Sequence, residues 1–90
     1  MRAQVICIRN GQTFRGVSRN LSLGGIQVEV PGLKADSTVQ LTFRIPITEA
    51  LVDAIGAVVW TVERRQGIRF ERLGGYSGRS IRKFCAKTTR

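Results

Sequence analysis

Val39-Gln40-Leu41-Thr42-Phe43-Arg44-Ile45 alternates apolar and polar side chains without a break and stops at Pro46. A β-strand turns successive side chains to opposite faces. This stretch therefore offers Val39, Leu41, Phe43 and Ile45 to a core and Gln40, Thr42 and Arg44 to water. Upstream, Ile26-Gln27-Val28-Glu29-Val30 repeats the pattern and is stopped by Pro31-Gly32. Two half-wet strands separated by turn residues point to antiparallel sheet.

The same reading extends in both directions. Val5-Ile6-Cys7-Ile8 is a short apolar run closed by Asn10-Gly11, a pair that tolerates the positive φ angles of a tight hairpin. A second strand follows from Thr13 to about Arg19, and Leu23-Gly24-Gly25 breaks it. Toward the C-terminus, Ala54 to Val62 is a longer apolar stretch containing Trp60. Arg64-Arg65-Gln66-Gly67 reads as a turn, and Gly67 to Glu71 as the returning strand. After Gly74-Gly75 the period changes. Ile81, Phe84, Cys85 and Thr88 fall at helical spacing opposite Arg79, Arg82, Lys83 and Lys87, which predicts a helix over about 77–88 with Ser77 as its N-cap. The expected fold is all-β: a six-stranded antiparallel barrel, strands within about 3–71, with the helix covering one opening or one edge. Residues 1–90 read as a single domain.

Composition narrows the function. Fifteen Lys and Arg against six Asp and Glu give a net charge of +9, which favours an anionic partner: nucleic acid, a nucleotide, an acidic protein or a membrane surface. Arginine outnumbers lysine, and its planar fork suits phosphate recognition and stacking. No apolar run approaches the roughly 18–20 residues that span a bilayer, and a cytoplasmic protein is expected. The chain has no His, and Cys7 and Cys85 lie far apart, so no metal site is expected and both read as buried free thiols. Asp36, Glu49, Asp53, Glu63 and Glu71 are scattered with no spacing that suits an acid/base pair, so no catalytic residue is assigned and no enzyme is expected. Trp60, Phe43 and Phe70 are assigned to the core because each sits in an apolar run. Arg64 and Arg65, and the helical face of Arg79, Arg82, Lys83, Lys87 and Arg90, read as solvated surface; if either is functional, the helix face is the better choice for an acidic partner protein.

Asn20-Leu21-Ser22-Leu23-Gly24-Gly25 carries the pattern [Asp/Asn]-x-Ser-x-x-Gly. By itself it also describes a polar turn, in which Asn20 and Ser22 satisfy the backbone and the glycines allow positive φ. Together with Val58-Val59-Trp60 and Gly67-Ile68-Arg69-Phe70 in the same order, it resembles the PilZ domain family over nearly the whole chain. The resemblance implies a barrel that binds cyclic di-GMP on its outer surface, with Asn20, Ser22 and Gly25 meeting a guanine. An amide and a hydroxyl can pair with the edge of that base, and a residue without a side chain lets the ligand approach the backbone. The family's second signature is an Arg-x-x-x-Arg pair ahead of the first strand. Arg2 is the one arginine near that place, and the position four residues before it falls outside the sequence. Arg15-Gly16-Val17-Ser18-Arg19 has the same spacing but lies on the strand leading into the motif; Arg19, next to Asn20, is its better ligand candidate.

Three readings stay open. The first is a cyclic di-GMP-binding regulatory module, with no other cofactor, that controls motility, pili or exopolysaccharide through a downstream protein. Its ligand residues are Arg2, Arg19, Asn20, Ser22 and Gly25. The second is a PilZ-like adaptor that acts by protein contacts without the dinucleotide. The third, least favoured, is a nucleic-acid-binding barrel.

Overall fold

The structure, a computed structural model, describes residues 2–46 and 48–88. Arg90 and the side chains of Lys87 and Thr88 lie outside the described residues. Six strands, β1 (Gln4–Arg9), β2 (Gln12–Leu21), β3 (Gly25–Glu29), β4 (Thr38–Arg44), β5 (Leu51–Val62) and β6 (Arg65–Leu73), precede helix α1 (Ser77–Thr88). All pairings are antiparallel, and the order β1-β2-β3-β6-β5-β4 closes on itself, so the expected barrel is present. Closure leaves no strand edge to template association.

Alternation decides what faces inward. Val5 and Cys7 on β1, Leu41 and Phe43 on β4, and Val52 and Val58 on β5 are buried in one cluster. Burial raises the Cys7 thiol to about 11, which keeps it protonated at neutral pH. Helix α1 closes one opening: Ile81 is fully buried, and Phe84 and Cys85 pack against the same cluster. Cys85 is half-buried, not buried as expected, and its Sγ–H donates to the Leu21 carbonyl at 3.6 Å. Ser77 does not cap the helix. Its hydroxyl accepts the Asp53 backbone N–H at 3.0 Å, tying the helix start to β5. Among the described residues no helix is long and apolar enough to cross a membrane.

The turn between β5 and β6 comes earlier than expected. Val62 pairs with Arg65, so Glu63-Arg64 is the loop, and Gln66 and Gly67 belong to β6. Gln66 points inward and is buried. Its amide accepts the Val30 N–H at 2.9 Å and donates to the Val30 carbonyl at 2.9 Å. That pair of hydrogen bonds anchors the segment leaving β3, so Gln66 pins the barrel at the end away from the helix.

Trp60 departs further from expectation. Inward positions on β5 run Val52, Ala54, Gly56 and Val58, and strict alternation would add Trp60. The register instead shifts between Val58 and Trp60, so Val58 faces Ile68 while Trp60 faces Gly67. One extra residue reverses the facing of everything beyond it. The indole therefore lies on the outer wall, half-buried, and Trp60 is not a core residue. Phe43 is in the core, and Phe70 packs against it.

Candidate functional site

Two bulges shape one face of the barrel. In β2 the register shifts between Ser18 and Asn20, and in β5 between Val58 and Trp60. Ser18 opposes Val28 and is buried, whereas Asn20 opposes Gln27 and is exposed. Pairing then carries the outward row from Asn20 to Gln27 to Gly67 to Trp60. Both bulges serve the same end: they aim a polar amide and an indole at one outer groove.

The groove encloses about 400 Å³, and Asn20, Ser22, Gly25, Gln27, Trp60 and Arg69 line it. That volume lies within the range of small-molecule sites, about 300–1,000 Å³. Two glycines permit the close packing of the groove wall. A β-carbon on Gly67 would stand 2.1 Å from the Trp60 indole nitrogen, so the ring occupies the room a side chain would take. A β-carbon on Gly25 would meet the Ile68 carbonyl at 2.3 Å, so β3 and β6 can approach only because Gly25 is bare.

Of the predicted site residues, Asn20, Ser22 and Gly25 open onto this groove. The Asn20 amide has no hydrogen-bond partner among the described residues, which leaves its donors and acceptor to solvent or ligand. Ser22 is more committed. Its hydroxyl donates to the Gly25 carbonyl at 3.3 Å and accepts the Gly25 N–H at 3.2 Å, closing the turn. A hydroxyl oxygen has two lone pairs, so one acceptor position remains.

Arg2 and Arg19 belong to an adjoining depression of about 200 Å³, whose other lining residues are Ser18 and Asn20. Asn20 is thus the wall shared by both spaces. Ser18 brings Arg2 there: its hydroxyl accepts the Ala3 N–H at 2.8 Å, and its own N–H donates to the Ala3 carbonyl at 2.8 Å. Arg19 reaches Glu29 on β3, with Nη1 2.7 Å from Oε2. The Arg19 guanidinium holds the Glu29 carboxyl below the usual carboxylate range, with smaller help from Arg65 and Arg2. Arg15 stands apart, opposite Ile6, in a separate depression with Gln4 and Val17.

Sequence reasoning missed Gln27, Trp60 and Arg69 as groove residues. Gly67 carried a signal that its assignment to a turn concealed: with the loop at Glu63-Arg64 it falls inside β6, and a bare position inside a strand marks close approach by another group. The bulge that brings Trp60 to it has no residue signature.

A closed barrel with one capped opening and a polar, arginine-bordered groove on its outer wall has the build of a small ligand- or partner-binding module. The PilZ domain model matches residues 1–87, and the chain belongs to the PilZ domain family, a cyclic di-GMP receptor family whose domains are regulatory or adaptor modules and not enzymes. Among solved structures the chain is similar to the Bacillus subtilis inhibitor of motility (MotI/DgrA), with a TM-score of 0.85 and 18% sequence identity. The match covers 100% of this chain and 50% of that one, so the chain spans about half the length of that protein. At this identity the likeness speaks for the fold. No curated protein matches the sequence.

Proposed function

We propose that the outer groove binds cyclic di-GMP and that the bound dinucleotide changes the surface offered to a downstream protein. One observation carries the reading: the motif residues Asn20, Ser22 and Gly25 open onto a single groove, and Arg2 and Arg19 border it at Asn20. The Asn20 amide and the remaining Ser22 lone pair meet the donor and acceptor edge of guanine. Gly25 lets the base approach the backbone, and the Trp60 indole offers an apolar face for stacking. Arg2 and Arg19 supply guanidinium forks for the phosphates. A cytoplasmic location goes with such a ligand, and control of motility, pili or exopolysaccharide is the output to test, the first in keeping with the similar structure of a motility inhibitor.

Calorimetric titration with cyclic di-GMP tests the reading. Wild-type protein gives saturable heat, and Asn20→Ala weakens binding by about 10- to 100-fold, the scale of one or two ligand hydrogen bonds. Trp60 is the chain's one tryptophan, so its fluorescence reports the same event. No heat from wild-type protein at high micromolar ligand overturns the proposal. A stable protein complex formed without the dinucleotide would then favour the adaptor reading.

A further inference from the structure

Arg19 is the site arginine nearest to Asn20 in sequence, yet its guanidinium is turned to a carboxylate of its own chain. Nη1 lies 2.7 Å from Glu29 Oε2, and the two side chains keep 37% and 30% of their surface exposed. Glu29 is on the outer face of β3, opposite Val17 and one outward step along the strand from Gln27, which lines the groove. The β2 bulge falls between Ser18 and Asn20, so Arg19 sits where the outward row changes register, with the Glu29 level on one side and the Asn20 level on the other. Arg19 also lines the depression that Arg2 and Asn20 share. A phosphate arriving there meets an arginine that already holds an anion.

We propose that Glu29 is a built-in competitor for the phosphate: its carboxylate holds Arg19 in reserve, and ligand takes the arginine only by exchanging one anion for another. The idea rests on the dinucleotide reading above and assigns Glu29 a part in setting affinity. The chemistry favours exchange over a rigid lock. A half-exposed ion pair is weak, because water screens it and two long side chains must be held together. A phosphodiester oxygen offers the same fork a comparable charge-assisted bond. The Glu29 carboxyl also lies in the field of Arg65 and Arg2, so the local surplus of positive charge remains when Arg19 leaves it. The consequence is a threshold: the pair lowers affinity for any single phosphate, and a ligand with further contacts to Asn20 and the groove overcomes it.

Calorimetry with cyclic di-GMP at near-neutral pH and physiological salt is run on wild type, Glu29→Gln, Arg19→Gln and the double variant. Glu29→Gln keeps shape and removes charge, and a thermal melt of each variant shows that it is folded. Glu29→Gln is expected to tighten binding about two- to fivefold, the range set by a screened ion pair. The gain must vanish in the Arg19→Gln background, because the competitor acts through that arginine. Weaker or unchanged binding by Glu29→Gln overturns the inference, and so does a gain that survives without Arg19, which would be a general field effect. If wild type binds and Asn20→Ala does not, such results remove only the role of Glu29. If wild type gives no heat, both proposals fall together.

Discussion

Two hairpins of this barrel each turn in a two-residue loop, yet they are built differently. Between β1 and β2 the loop is Asn10-Gly11, with φ of 52° and 76°, and Arg9 pairs with Gln12 on either side. Asn and Gly enter that left-handed region with little strain, so the turn carries its own instruction. Between β5 and β6 the loop is Glu63-Arg64, and Glu63 sits at φ 55°. Glutamate has no local preference for that conformation. The second turn is set by contacts outside the loop: Gln66 is held by the distant Val30, and across the hairpin Gly67 lies beneath Trp60. Local chemistry determines the first hairpin, and tertiary contacts determine the second. The hairpin placed by tertiary contacts is also the one that brings Trp60 and Arg69 to the groove.

The contrast can be broken most forcefully at Gln66. Gln66→Leu keeps the volume near native but leaves the Val30 N–H without its partner in the interior and the Val30 carbonyl with only the Leu33 N–H at 3.4 Å. A loss of about 3 kcal/mol is expected, a fall in melting temperature of roughly 12–24 °C for a domain of this size, followed by circular dichroism. Gly67→Val comes next. Its side chain claims the place of the indole, so the cost is about 2 kcal/mol, and Trp60 emission shifts to the red as the ring moves into water. An unshifted spectrum would mean that Gly67 is not what seats the tryptophan.

Smaller effects sharpen the comparison at the loops. Gly11→Ala meets no atom within 4 Å, so its cost is conformational alone, about 1 kcal/mol in a urea titration. Glu63→Asn should act in the opposite direction and stabilise by about 0.5 kcal/mol, since Asn tolerates the left-handed region. If Glu63→Asn destabilises instead, the loop is not strained and the proposed difference between the hairpins is lost.

Much of this molecule was legible residue by residue. Alternation in Val39 to Ile45 and Ile26 to Val30 marked which side chains face inward, because a strand's two faces repeat every second residue. Asn10-Gly11 located a hairpin, and the spacing of Ile81, Phe84 and Cys85 located the helix and its buried side. The segment from Asn20 to Gly25 marked the place where the outer wall opens. Such signals survive in one dimension because each depends on neighbours within a turn or two of chain. Ser77, Gln66 and Trp60 were misplaced for the opposite reason. Ser77 and Gln66 are committed to Asp53 and Val30, far away in sequence, and Trp60 to Gly67 across its own hairpin in a register that periodicity does not reveal. For Trp60 a single unpaired residue reversed the facing, and a period-two pattern cannot register the extra residue until the partner strand is in place. The union of Asn20 with Trp60 was likewise decided by the pairing of β3 with β6, which sets β2, β3, β6 and β5 side by side, and Arg2 joins them through the bonds between Ala3 and Ser18.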